Sequence, residues 1–283
     1  VAMGRYGGRE CSYASDADVI ALHEAVGGAS DSEAAASATA IVNRVKKLLG
    51  SATSQLGIVV DLDLRPEGKN GPMSRTIASH EEYAQRWAST WERQAAVRAR
   101  PIGDGGLAQA ARSLFESMAY RDVSEAEVRD IRLLKARMEN ERLPRGTEPA
   151  RHVKLGPGGL TDVEWTIQLI QMRHGREVEA LRTSSTTDAI AAARDAGLLG
   201  ASDAEILLNA WDLATRIRAG NTLATGRMSG VKLDVVPRDS AELGALAAIL
   251  GYGSGGLTAL EEDWLRAARQ ARDVMERAFW EQQ

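Results

Sequence analysis

Four aspartates in two short runs define the chemistry open to this sequence. Asp16 and Asp18 stand two residues apart in Ser15-Asp16-Ala17-Asp18, at the head of the apolar run DVIAL. Asp61 and Asp63 stand two apart inside residues 58–64 (IVVDLDL), the clearest strand pattern in the chain. Residues i and i+2 of a strand share a face, so each pair can project together. Neighbouring carboxylates repel and raise each other's pKa unless a cation sits between them. A hard divalent ion such as Mg²⁺ satisfies such oxygens and keeps positions open for phosphate. A third carboxylate on an adjacent strand would complete a two-metal site for phosphoryl or nucleotidyl transfer. The plainer readings are a capped turn for the first pair and an edge strand with a solvated acidic face for the second. Arg65 could then neutralise one aspartate. Spacing alone does not choose between Asp61 and Asp63.

Glycines come before the first pair. Gly4, Gly7 and Gly8 permit positive φ and let backbone N–H groups approach a phosphate. A glycine pair says little alone. The order is informative: a strand end, Gly-Gly, a short helical segment, Ser-Asp-x-Asp, then a second acidic strand.

The elements that must position these residues change character near residue 100. Before it, strand patterns at 1–3, 18–22 and 58–64 alternate with helical patterns at 32–50 and 80–100. In the first helix Ile41, Val45, Leu48 and Leu49 share a face. After residue 106 nearly everything reads as helix: one or two helices over 107–142, then 161–173, 186–196, 202–219, 240–250 and a last helix from Leu257 to Ala278. Pro144, Pro149 and Pro157 make 140–158 a long connection. Ser202 with Glu205 has capping-box spacing. The expectation is an α+β chain: a small domain with a mixed sheet over 1–105, followed by an all-α helical domain over 106–283.

Composition narrows the function classes. The chain has 283 residues, 44% hydrophobic and 26% charged, as expected of a folded globular protein. A net charge of −4 with no basic stripe argues against nucleic acid as a partner. A lone cysteine, Cys11, excludes an intramolecular disulfide, and with four histidines it disfavours a zinc framework. No apolar run reaches membrane-spanning length. A reducing cytoplasmic setting is the default. The first residue is valine and already reads as strand, so a piece of a longer, N-terminally truncated polypeptide is expected.

Taken together, MGRYGGRECSYASDAD, VDLDLRPEGKNGP, WERQAAVRAR and KLGPGGLTDVEW, in this order, resemble the bacterial glutamine synthetase adenylyltransferases. That family lies in the DNA-polymerase-β-like nucleotidyltransferase superfamily. Its members carry two homologous halves: one removes AMP from glutamine synthetase by phosphorolysis, the other adds AMP from ATP. Residues 142–175 and the closing VMERAFWE resemble the adenylylating C-terminal half of the actinobacterial type. The removing half is the alternative, and a non-catalytic binding module is a third. The resemblance implies ATP as substrate and Mg²⁺ held by Asp16, Asp18 and Asp61, with Asp63 secondary. It sets Gly7 and Gly8 against the nucleotide phosphates. Ser15 stands at the loop edge as a phosphate contact or a turn cap. Arg65 is a phosphate contact or the ion-pair partner of Asp61 or Asp63. Glutamine synthetase is the implied protein substrate, and a PII-type signal protein a further partner of this piece or of the other half. Arg98 or Arg100 would reach phosphate, and Trp91 and Glu92 would fix their helix against the sheet. The glycine-rich 154–165 lacks a P-loop ending and reads as a domain-joining turn.

Overall fold

A computed structural model describes residues 1–13, 15–50, 57–253 and 256–281. Its contacts form two compact units. The first holds Val1–Cys11, Ser15–Asp122 and Met172–Ser185; the second holds Ser12–Ala14, Val123–Gln171 and Thr186–Gln283. The chain is α+β, with its strands in the first unit.

The first unit begins with a single helical turn, α1 (Gly4–Gly7), followed by β1 (Ala17–Asp18), β2 (Ala21–Leu22), α2 (Asp31–Gly50), β3 (Val60–Asp61) and β4 (Ser74–Arg75). It continues through α3 (Ile77–Arg86), α4 (Thr90–Ala96) and α5 (Gly106–Ala119). β1 pairs in parallel with β3, and β2 with β4. Ala2 bridges antiparallel to Val19 on one side and to Arg100 on the other. The segment 17–22 therefore supplies one strand to each of two small two-stranded parallel sheets. Ala2, Met3, Ile20 and Leu62 are buried beside it.

Several expectations shift here. Only Val60–Asp61 of the acidic run pairs as strand, because the chain turns at Asp63. The pattern over 80–100 is two helices. Ser89 and Glu92 form a capping box that starts α4 afresh, supplying hydrogen bonds to amides that a continuous helix would have used itself. Trp91, expected to pack on the sheet, is 40% exposed, whereas Arg93 turns inward and donates from Nε to the Met118 carbonyl at 2.9 Å. The apolar face of α2 is also open: Ile41, Val45, Leu48 and Leu49 are all exposed. By contacts the chain stays with the first unit through Asp122, and α5 packs there on α3 and α4. His80 meets Phe115 edge-on with ring centres 5.3 Å apart.

The second unit is helical. It comprises α6 (Glu125–Glu141), most of α7 (Leu160–His174), α8 (Thr186–Asp195), α9 (Ala201–Thr225), α10 (Ser240–Ile249) and α11 (Gly256–Met275), with a π-helical turn at Glu276–Glu281. Of the one or two helices expected over 107–142 there are two, split where Ser124 and Glu127 form a capping box. α9 packs against α8, α10 and α11, burying Leu207, Ile217, Leu260 and Trp264. It starts one residue before Ser202, with Gly200 at the cap, so the expected Ser202–Glu205 box does not form. It also runs six residues past the expected end, through Gly220. A Cβ at Gly220 would lie 2.6 Å from Leu246 Cδ1, so glycine is what lets α10 approach.

Candidate active site

The parallel register of β1 and β3 sets Ala17 opposite Val60 and Asp18 opposite Asp61. The Ala17 amide donates to the Val59 carbonyl and the Val19 amide to that of Asp61, both at 2.8 Å. Register partners on adjacent strands share a face. Asp18 and Asp61 therefore stand side by side, each half-buried, with Asp16 exposed two residues upstream and Ser15 half-buried before it. Chain order alone left this pairing open; the ladder supplies it.

The same geometry separates Asp61 from Asp63. The Asp61 Oδ1 accepts the Asp63 amide at 2.6 Å, which closes the turn after the strand. Asp63 is exposed and faces loop cations, with its carboxylate 3.3 Å from Lys69 Nζ and 3.9 Å from an Arg65 nitrogen. Among the described residues Asp61 has no ion pair. Arg65 braces the loop: its three nitrogens donate to the carbonyls of Gly71, Leu62 and Lys69 at 3.2, 2.9 and 3.2 Å.

The glycine turn is built for close packing. Gly4, at φ +50°, sits where a Cβ would come within 2.5 Å of Asp18 Oδ2, so this glycine seats the carboxylate. Gly7 and Gly8 are buried, and their amides donate to Met3 and Gly4 at 2.7 and 3.1 Å. A Cβ on Gly7 would fall 1.8 Å from the Arg98 carbonyl oxygen, and one on Gly8 would fall 2.4 Å from the Arg98 guanidinium. Both amides are engaged inside the turn.

Arg98 and Arg100 hold that turn instead of reaching outward. The buried Arg98 donates from Nε to the Gly4 carbonyl at 3.1 Å and pairs with Glu10 at 2.5 Å. Arg100 donates to the carbonyls of Gly7 and Tyr6 at 2.8 and 3.0 Å, and lies 5.7 Å over the Tyr6 ring. Glu10, which completes the Arg98 pair, escaped sequence reasoning because its partner lies 88 positions away. Close to it, burial raises the pKa of the exposed Cys11 thiol, while Arg5 acts in the other direction.

The donor set suits a hard cation, since Asp16, Asp18 and Asp61 offer only carboxylate oxygens. Asp18 and Asp61 stand in register, and among the described residues no group of three or more His, Cys, Asp and Glu side chains is gathered tightly enough to hold a metal.

The glycine-rich 154–165 does form a turn into a helix. The Gly158 amide donates to Asp162 at 2.7 Å, and the amides of Lys154 and Leu155 donate to His152 Nδ1 at 3.3 and 3.1 Å. Its amides and the His152 ring are engaged in building the turn. Asp162 is the hub of a buried charge cluster, 2.5 Å from Lys135 and 3.2 Å from Arg272, with Glu139 2.7 Å from each cation. Lys135 is fully buried, a position that the helical pattern of α6 would not assign to a lysine.

The family model described as Glutamate-ammonia ligase adenylyltransferase matches residues 1–114, a range that includes Asp16, Asp18, Asp61 and Asp63. The model described as GlnD PII-uridylyltransferase matches residues 132–279. Both names denote nucleotidyltransferases. The curated relatives include the bifunctional glutamine synthetase adenylyltransferase/adenylyl-removing enzymes of Streptomyces coelicolor, Bifidobacterium longum subsp. infantis and Nocardia farcinica. They are 45%, 46% and 41% identical over 99%, 100% and 99% of this chain. The chain belongs to the glutamine synthetase adenylyltransferase family. It spans 28%, 26% and 28% of those relatives' own length. Among the described residues no helix is long and apolar enough to cross a membrane.

Proposed function

We propose that this chain is the catalytic piece that moves AMP from ATP to a tyrosine hydroxyl of glutamine synthetase, on a polymerase-β-like nucleotidyltransferase domain. The observation that carries the reading is the register of Asp18 with Asp61, with Asp16 two residues upstream. Asp16, Asp18 and Asp61 would hold Mg²⁺, which when bound screens the triphosphate and stabilises charge on the entering and leaving oxygens. The chain's own residues do the rest. Arg98, Glu10 and Arg100 fix the glycine turn, and through Gly4 that turn seats the Asp18 carboxylate. Asp61 keeps Oδ1 on the Asp63 amide, which orients the group and leaves Oδ2 to take the attacking hydroxyl's proton. Ser15, half-buried just before Asp16, would meet a phosphate oxygen. Gly7 and Gly8 act as the turn's packing floor. Arg65 acts as the brace that positions β3.

The alternative direction, removal of AMP by phosphorolysis, uses the same carboxylates. The relatives' printed names cover both activities. The resemblance of residues 142–175 to the adenylylating half favours addition. A cytoplasmic setting, glutamine synthetase as protein substrate and a PII-type signal protein as regulator accompany this reading. Intact-mass analysis tests the direction. Unmodified glutamine synthetase should gain one AMP per subunit with ATP and Mg²⁺, and the adenylylated form should lose none when given inorganic phosphate. Full transfer by an Asp16→Asn, Asp18→Asn double variant would overturn the site.

A further inference from the structure

Behind the glycine turn, in the first unit, lies a cavity of about 210 Å³. Arg100, Arg112 and Arg182 line it, together with Glu116, Tyr120 and Ser184. The volume suits a compact ion. Three guanidiniums against one carboxylate leave the wall positive. Arg100 and Arg182 are pre-positioned by backbone carbonyls: Arg100 on Gly7 and Tyr6, Arg182 on Gly175 and Arg176 at 2.7 and 2.9 Å. Each of those hydrogen-bond sets leaves one terminal nitrogen unused, and guanidinium is the group best matched to an oxyanion's geometry. Arg112 is exposed and has no hydrogen bond or ion pair among the described residues. Burial, and then Glu116, raise the Tyr120 pKa, so its hydroxyl stays protonated and able to donate.

We propose that this cavity is a second anion site that takes a small oxyanion of the phosphate type, held by Arg112 with the free ends of Arg100 and Arg182. It is distinct from the carboxylate site, which would engage phosphate through metal at Asp18 and Asp61. The two are linked through Gly7, whose carbonyl accepts both Arg100 Nε and Ser184 Oγ, at 2.8 and 3.0 Å. An oxyanion pulling on Arg100 would therefore act on the turn that seats Asp18.

The test uses the 283-residue chain, inorganic phosphate as the probe, and no ATP or divalent ion, so its outcome does not depend on the direction or existence of AMP transfer. Titration calorimetry should show saturable binding at one site. Arg112→Gln should weaken it about tenfold, the scale of one charged hydrogen bond. That variant should keep its melting temperature, because Arg112 has no partner to lose. Asp16→Asn, Asp18→Asn should bind phosphate as the parent does. Absence of saturable binding would overturn the proposal. So would unchanged affinity in Arg112→Gln, or loss of binding in the double aspartate variant with retention in Arg112→Gln.

Discussion

The acidic corner of the first unit and the buried charge cluster of the second begin from similar text, a run of glycines followed closely by aspartate. They end as opposites. In the second unit Asp162 is 1% exposed and is closed in by Lys135, Arg272 and the Gly158 amide. Every charge there is answered from within the chain, so the cluster ties α6, α7 and α11 together. In the first unit Asp18 and Asp61 are in register and only half-buried, and Asp16 is exposed. Like charges set side by side within reach of solvent are stabilised by a cation brought from outside. Glycine and aspartate in sequence thus define a turn with a carboxylate. How deeply that carboxylate is buried depends on how the fold packs around it.

This contrast can be broken most sharply at Asp61. Asp61→Asn should lower AMP transfer about a thousandfold or more, roughly 4 kcal/mol of lost charge stabilisation. Its urea midpoint should stay at or above the parent's. A fall in stability without loss of transfer would make Asp61 structural after all. The mirror experiment is Lys135→Met, which strands Asp162 in the interior. It should cost about 3–5 kcal/mol in chemical denaturation.

A third measurement asks whether a buried titratable group in the first unit behaves like the closed cluster. His80 is 2% exposed, with its Nδ1 lacking a hydrogen-bond partner, and burial, aided by Arg75, lowers its pKa from 6.5 to about 4. The unfolded chain takes up this proton near pH 6.5 and the folded one only near 4. The His80 contribution is therefore complete above pH 6.5 and is lost as pH falls through that window, by up to about 3 kcal/mol. Stability curves at pH 7 and pH 4 should show that loss in the parent and a smaller one in His80→Phe. The smallest effect should come from Asp63→Asn. It gives up only loop ion pairs with Lys69 and Arg65 on an exposed side chain, so stability should change by less than about 1 kcal/mol. AMP transfer should stay within about twofold, which would confirm Asp61 as the working member of its pair.

Much of this was legible before any coordinates. Apolar runs marked the neighbourhoods of β1, β2 and β3 but not β4 at Ser74–Arg75, while period and capping residues placed most helices to within a few positions. Misplaced boundaries had local causes. Ser89 restarts a helix inside an unbroken apolar pattern, and Gly200 takes the cap that Ser202 was expected to hold. The carboxylates Asp16, Asp18 and Asp61 were legible as residue types at strand spacing. The close packing of Gly7 and Gly8 against Arg98 was not, because Arg98 lies about ninety residues away and no local pattern encodes that approach.

The sequence by itself determined which side chains can carry chemistry, the helical and strand periods that place them, and, through four ordered motifs, the family. Only tertiary structure decided which carboxylates meet and which are answered. Register brought Asp18 to Asp61 and the turn sent Asp63 to Lys69, while helix packing buried Lys135 beside Asp162. The physical reason is range. Backbone preference and periodicity act over a few residues and are written in local sequence. The free energy of a charge depends on its distance to other charges and to water, and those distances exist only once distant segments have packed.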